Sequence, residues 1–198
     1  MSATFLKLWT IQTVEFYEHL LKHKRITVAQ QFINPDFKDA YDWMVKKMNQ
    51  MLGSNHTDIY PIWAWYQYQS IFRKKPRLTD EALLPKGTNG VRLLIIKPKN
   101  EVVLSDFDLW HYVLNKWFIN TGGPEDIETE RQLNHYQKDF EQLPDYLKQK
   151  VIKSWDLIFD IDLKIKDLTF PKYKKSIQAT FWELHLDEVK KVDFFVAK

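Results

Sequence analysis

Apolar positions alternate in some stretches of the chain and recur every three or four residues in others. Over residues 5–12, Leu6, Leu8 and Thr10 fall on one face and Trp9 and Ile11 on the other, which predicts a strand. Thr13 then reads as the N-cap of a helix to about Lys24, with Glu15 in its first turn. Asn34-Pro35-Asp36 is a helix-start signal. Behind it Phe37, Ala40, Tyr41, Met44, Met48 and Met51 follow at helical spacing, up to Gly53 as the C′ residue.

Residues 59–69 are strand-like in composition, with Ile62, Ala64, Tyr66 and Tyr68 alternating against Trp63, Trp65, Gln67 and Gln69. Residues 73–90 read as a loop, Val91–Ile96 as a buried strand stopped by Pro98, and Val102–Leu104 as a short strand. Ser105-Asp-Phe-Asp108 fits a capping box with Ser105 at the N-cap. Its helix is expected to run to about Phe118, with Leu109, Val113 and Trp117 on one stripe. Residues 125–160 predict an inserted pair of helices split at Leu143-Pro144. Ile177–Trp182 alternates again, and a turn at Leu186–Val189 leads to a last strand, Val192–Ala197. The expected fold is α+β, a split antiparallel sheet with flanking helices, in one domain over residues 1–198.

Composition narrows the chemistry. A net charge of +3, from 29 Lys and Arg against 26 Asp and Glu, lacks the clear basic footprint of a dedicated nucleic-acid binder. The absence of cysteine removes disulfides, thiolate metal sites and cysteine nucleophiles. The five glycines form neither a dinucleotide-binding fingerprint nor a phosphate loop, and there is no Gly-x-Ser-x-Gly elbow. The opening residues do not read as a signal peptide, and no apolar run nears the roughly 20 residues that span a bilayer, so a cytoplasmic protein without membrane contact is expected. His19 and His23 stand four apart on a predicted helix but have no acidic residue between them, so no metal site is predicted.

The chain is rich in aromatics, with 8 Trp, 9 Tyr and 13 Phe. Trp43, Trp117 and Trp155 lie on helical stripes and read as core. Trp9, Trp63, Trp65, Trp110 and Trp182 lie on or beside strands, where they would wall a site for a flat ligand. Gln12, Gln67 and Gln178 are candidates to bond the edge of such a ligand. Asp108 and His111, one helical turn apart, are a candidate acid–base pair or a structural pair. Arg73, Lys74, Lys75 and Arg77 form a basic run that would meet a nucleic-acid backbone, with Tyr66, Tyr68 and Phe72 before it to stack bases.

Five strings carry a resemblance: Leu8-Trp-Thr-Ile-Gln12, Ala40-Tyr-Asp-Trp-Met44, Tyr60-Pro-Ile-Trp-Ala-Trp-Tyr66, Leu104-Ser-Asp-Phe-Asp-Leu-Trp-His-Tyr-Val-Leu114 and Ile177-Gln-Ala-Thr-Phe-Trp-Glu183. Together they resemble a bacterial and phage family of about this length, a domain of unknown function. More distantly, residues 6–24 and the closing segment from Ile177 are similar to ADP-ribosyltransferase folds. That similarity implies a split sheet that holds NAD without a glycine-rich fingerprint, and a closing strand with a catalytic glutamate. Where such enzymes place a His or Arg on the first strand, this chain offers Trp9, Thr10 and Gln12. The natural register puts Thr180 at the glutamate position, with Glu183 three residues on and on the opposite face. Either the register shifts and Glu183 serves, or the pocket lacks standard transferase chemistry. The expected function is an NAD-type nucleotide pocket, with transferase or glycohydrolase activity left open. The alternative is a protein-interaction module with a phage or host partner.

Overall fold

The computed structural model of the chain describes residues 4–72, 74–80 and 83–198. β1 (Phe5–Thr13) passes into α1 (Val14–His23) at Thr13, whose hydroxyl accepts from the Phe16 amide. Lys24, in the left-handed conformation at φ 64°, ends α1 and turns the chain into β2 (Arg25–Ala29). This strand was not among the expected elements, although Ile26-Thr27-Val28 is a β-branched run. The Asn34-Pro35 signal opens a 3-10 turn, Pro35–Phe37, that runs on into α2 (Lys38–Leu52), closed by Gly53 at φ 64°. Met44 and Met48 are buried as expected, whereas Met51 is exposed.

The expected strand over residues 59–69 is two strands, β3 (Ile59–Tyr60) and β4 (Ile62–Gln67), separated by Pro61. Proline has no N–H for a ladder, so the break falls there. β5 (Asn89–Pro98) and β6 (Val103–Asp106) follow, then α3 (Phe107–Leu114). Two expectations fail at α3. Its N-cap is Asp106, whose Oδ1 accepts from the Asp108 and Leu109 amides, because Ser105 still lies within β6. The helix also stops at Leu114, so Trp117 leaves the stripe and is half exposed. α4 (Pro124–His135) and α5 (Asp145–Ser154) form the predicted helical region. β7 (Ile177–Phe181), β8 (Glu183–His185), a 3-10 turn at Leu186–Glu188 and β9 (Val189–Val196) close the chain.

The fold is α+β, and its sheets are antiparallel. Six strands run in the order β6-β7-β4-β1-β5-β9, and a smaller sheet runs β3-β2-β8. The two sheets arise from a fork. β4 and β7 pair as far as Ile62 opposite Phe181, then separate into β3 and β8. β2 fills the gap, with Val28 opposite Tyr60 and Thr27 opposite Glu183. The large sheet has its own discontinuity, because β1 and β4 share a single register pair, Trp9 opposite Trp65.

Two cores hold these layers. One joins α2, α3, α4 and α5 through residues such as Met44, Trp110, Leu133, Leu147 and Trp155. The other seats α1 and the small sheet, through Leu20, Ile26 and Leu184, on Leu8, Ala64, Leu93 and Ala179 of the large sheet. Trp43 and Trp155 are core as predicted, packed edge to face at 5.6 Å. No helix among the described residues is long and apolar enough to cross a membrane.

Candidate functional site

The parting of β1 from β4 opens a cleft of about 510 Å³. Its sides are Gln12 and Thr13 at the end of β1, Phe16 of α1, Ile26–Val28 of β2, and Pro61 and Trp63 at the start of β4. Tyr41 of α2 closes one side; Phe32, Glu15 and His19 are exposed lining residues. The Trp63 ring is backed by Trp110 at 4.9 Å and Tyr41 at 5.9 Å, a continuous aromatic wall. The Trp63 indole N–H is buried with no acceptor among the described residues. Burial raises the Tyr41 phenol above its ordinary pKa. Backbone hydrogen bonding at its own position and the Thr13 hydroxyl hold the Glu15 carboxyl below the usual range. Apolar walls with a few convergent polar groups are what a small-molecule pocket needs.

Of the predicted site residues, Gln12 and Trp63 line this cleft and Trp110 stands behind it. The remainder lie elsewhere. Trp9 and Trp65 face each other across the strand pair; the Trp9 ring lies 5.7 Å from the Lys75 ammonium and 5.3 Å from the Arg92 guanidinium. Trp65 meets Tyr68 and Phe107 edge to face, each at 4.9 Å. Gln67 is structural: its Nε2 donates to the Lys172 and Lys175 carbonyls, each at 2.7 Å. Gln178 is buried opposite Trp65 and Ser105, and its Oε1 has no partner among the described residues. Trp182 is buried at the fork, where its indole N–H donates to the Ser54 hydroxyl at 3.0 Å.

Asp108 and His111 do not hydrogen-bond to each other. The His111 ring places Nδ1 2.9 Å from the Phe107 carbonyl, so the one-turn spacing is used by the backbone instead. Burial and the neighbouring Asp106 charge raise the Asp108 carboxyl. Glu183 lies on β8, where it binds Arg25 at 2.5 Å and His185 at 3.0 Å. Burial would raise its pKa, but the His185 hydrogen bond and the Arg25 charge outweigh it and leave the carboxyl below the usual range. Thr180 is buried and bonds the Val103 carbonyl at 3.3 Å. In the basic run, Arg73 lies outside the described residues, and the buried Pro76 carbonyl accepts from Arg92 Nη1 at 2.7 Å.

The sequence reading did not single out Thr13, Phe16, Thr27 or Tyr41 as site residues. Thr27 belongs to a strand it missed, and Tyr41 reaches the cleft only through the packing of α2. A second cavity of about 420 Å³ lies beside α3, α4 and α5, near Tyr112, Trp117 and Leu133. Three of its charged groups, Lys116, Glu130 and Lys138, are already paired. Glu130 takes Asn120 and Lys138, and Lys116 takes Asp39 and Glu141. The split cleft is the better candidate, because it sets a continuous aromatic wall beside polar groups, Gln12 Oε1 and the Trp63 indole N–H, that have no partner among the described residues.

The sequence profile described as Domain of unknown function (DUF3841) matches residues 7–190. The chain belongs to the DUF3841 family. That match takes in every lining residue of the cleft, from Gln12 to Trp63, and the strands β2 to β8, so the cleft lies inside the DUF3841 domain. No curated protein sequence and no solved structure matches the chain.

Proposed function

We propose that this DUF3841 chain is a nucleotide-pocket protein of ADP-ribosyltransferase type, taking a flat ring of the NAD class in the split cleft. The observation that carries the reading is the single β1–β4 register pair, beyond which the sheet opens onto Gln12, Tyr41 and Trp63. Trp63 offers a stacking wall, and Gln12, Thr13 and Thr27 offer edge contacts. The volume falls within the roughly 300–1,000 Å³ of small-molecule pockets. The order β7, Glu183-bearing β8, short helical turn and β9 also follows the closing element of the resembling folds.

The same geometry restrains the chemistry. Glu183 does not line the cleft and is held by Arg25, so transfer or hydrolysis requires it to leave that ion pair. Titration of NAD into the wild type, followed by tryptophan fluorescence, is expected to saturate. Trp63→Ala is expected to weaken binding about fivefold or more, as loss of one ring stack costs roughly 1–3 kcal/mol. Incubation with labelled NAD and lysate, wild type against Glu183→Gln, then separates binding from transfer. No saturable binding by the wild type would sink the reading.

A second reading, a protein-interaction module, is favoured by one feature. β9 is an open edge of the large sheet and carries the exposed side chains Phe194 and Val196. Unpaired strand edges with apolar side chains are templates for another chain.

A further inference from the structure

Thr10 and Gln12 stand two residues apart on β1, at the point where the strand loses β4. The carbonyl of Trp63, left without a β1 ladder partner, accepts from the Thr10 hydroxyl at 2.8 Å. A hydroxyl has one proton to give. With that proton committed, Thr10 Oγ1 can only accept from Gln12, and it takes Nε2 at 2.9 Å. Reversing the amide would set Gln12 Oε1 against the lone pairs of Oγ1. The relay therefore fixes which end of the Gln12 amide is spent, and it leaves Oε1, which has no partner among the described residues, for the cleft.

We propose that Gln12 is a fixed acceptor that makes the cleft select rings with an N–H donor on their edge, a carboxamide or an exocyclic amino group. The inference rests on the nucleotide-pocket reading and adds the ligand's polarity to it. The charges of the lining agree. Glu15 is the one carboxylate among the described lining residues, and no lysine or arginine is among them. A ring bearing a carboxylate would meet an acceptor at Gln12 and a second negative charge at Glu15. Thr10 is thus a positioning residue that acts through Gln12.

Matched ligand pairs test this by titration calorimetry: nicotinamide mononucleotide against nicotinic acid mononucleotide, and adenosine against purine riboside, which lacks the amino group. The wild type is expected to prefer the donor-bearing member of each pair by about tenfold, the scale of one hydrogen bond gained and an unmatched acceptor avoided. Thr10→Val frees the Gln12 amide to turn, so the amide-over-acid ratio is expected to fall to about twofold or less while Thr10→Ser keeps it. Gln12→Met removes the acceptor without touching Thr10, and both ratios are expected to collapse; it decides the matter should Thr10→Val fail to fold. A wild type that binds the acid or the purine riboside as tightly as its partner overturns the inference and leaves the pocket reading standing. So does a ratio that survives in Gln12→Met. Failure of all four ligands to bind the wild type overturns both.

Discussion

Lys175 and Asp106 place opposite charges against each other with almost no solvent contact, Nζ lying 2.8 Å from Oδ2. The contact is an ion pair without hydrogen-bond alignment; Lys175 Nζ also donates to the Leu163 carbonyl, and Asp106 Oδ1 caps α3. One lysine thus ties the segment that follows the helical region, at Leu163, to the start of α3. Removing one partner of a buried pair strands the other charge, which costs far more than the pair itself contributes. Lys175→Met is expected to lower stability by about 3 kcal/mol in urea unfolding. A loss under about 1 kcal/mol would show that the stranded Asp106 carboxylate is solvated instead. None of this was legible in the sequence, where Lys175 is one lysine in a run of lysines and Asp106 sat one place after the expected cap.

Strand β2 is the element on which the architecture turns, because it fills the fork between β3 and β8 and lines the cleft. Arg25 and Glu183 clasp β2 to β8, with His185 on the second carboxylate oxygen. The folded pKa of Glu183 lies below its ordinary value, so the clasp contributes stability above about pH 4.3 and loses it as the pH falls through the depressed value. Both groups are partly exposed, so the contribution is small. Glu183→Gln is expected to cost less than about 1 kcal/mol at pH 7 and less than that near pH 3, measured by urea unfolding at the two values. An equal cost at both would refute an electrostatic origin. Alternation in the sequence located β1, β4 and β7, and a continuous apolar run located β5. The five residues of β2 offer too short a period, and their pairing partners lie 30 or more and over 150 positions away.

At the scale of the molecule, the helical region is not an appendage. Trp155, in the turn after α5, packs on Trp43 of α2, and its indole N–H donates to the Trp117 carbonyl at 2.8 Å. Leu133 of α4 and Leu147 of α5 share one core with Met44 and Trp110. A chain in which residues 124–160 are replaced by a short Gly-Ser linker is therefore expected to lose its cooperative thermal transition and its near-ultraviolet circular dichroism. Retention of a sharp transition would mean that the sheets and α2 fold without it.

What the sequence determined by itself was local: the α+β class, most strand and helix positions, the Thr13 and Gly53 caps, and the burial of Trp43 and Trp155. These follow from side-chain periodicity and capping chemistry, which act over a few residues. Only the tertiary structure decided that β1 and β4 part after one pair, that β2 fills a fork, and that Gln12 and Trp63 share a cleft while Trp9, Trp65 and Glu183 do not. Those outcomes depend on contacts between residues far apart in the chain and on the count of hydrogen-bond partners where ladders end.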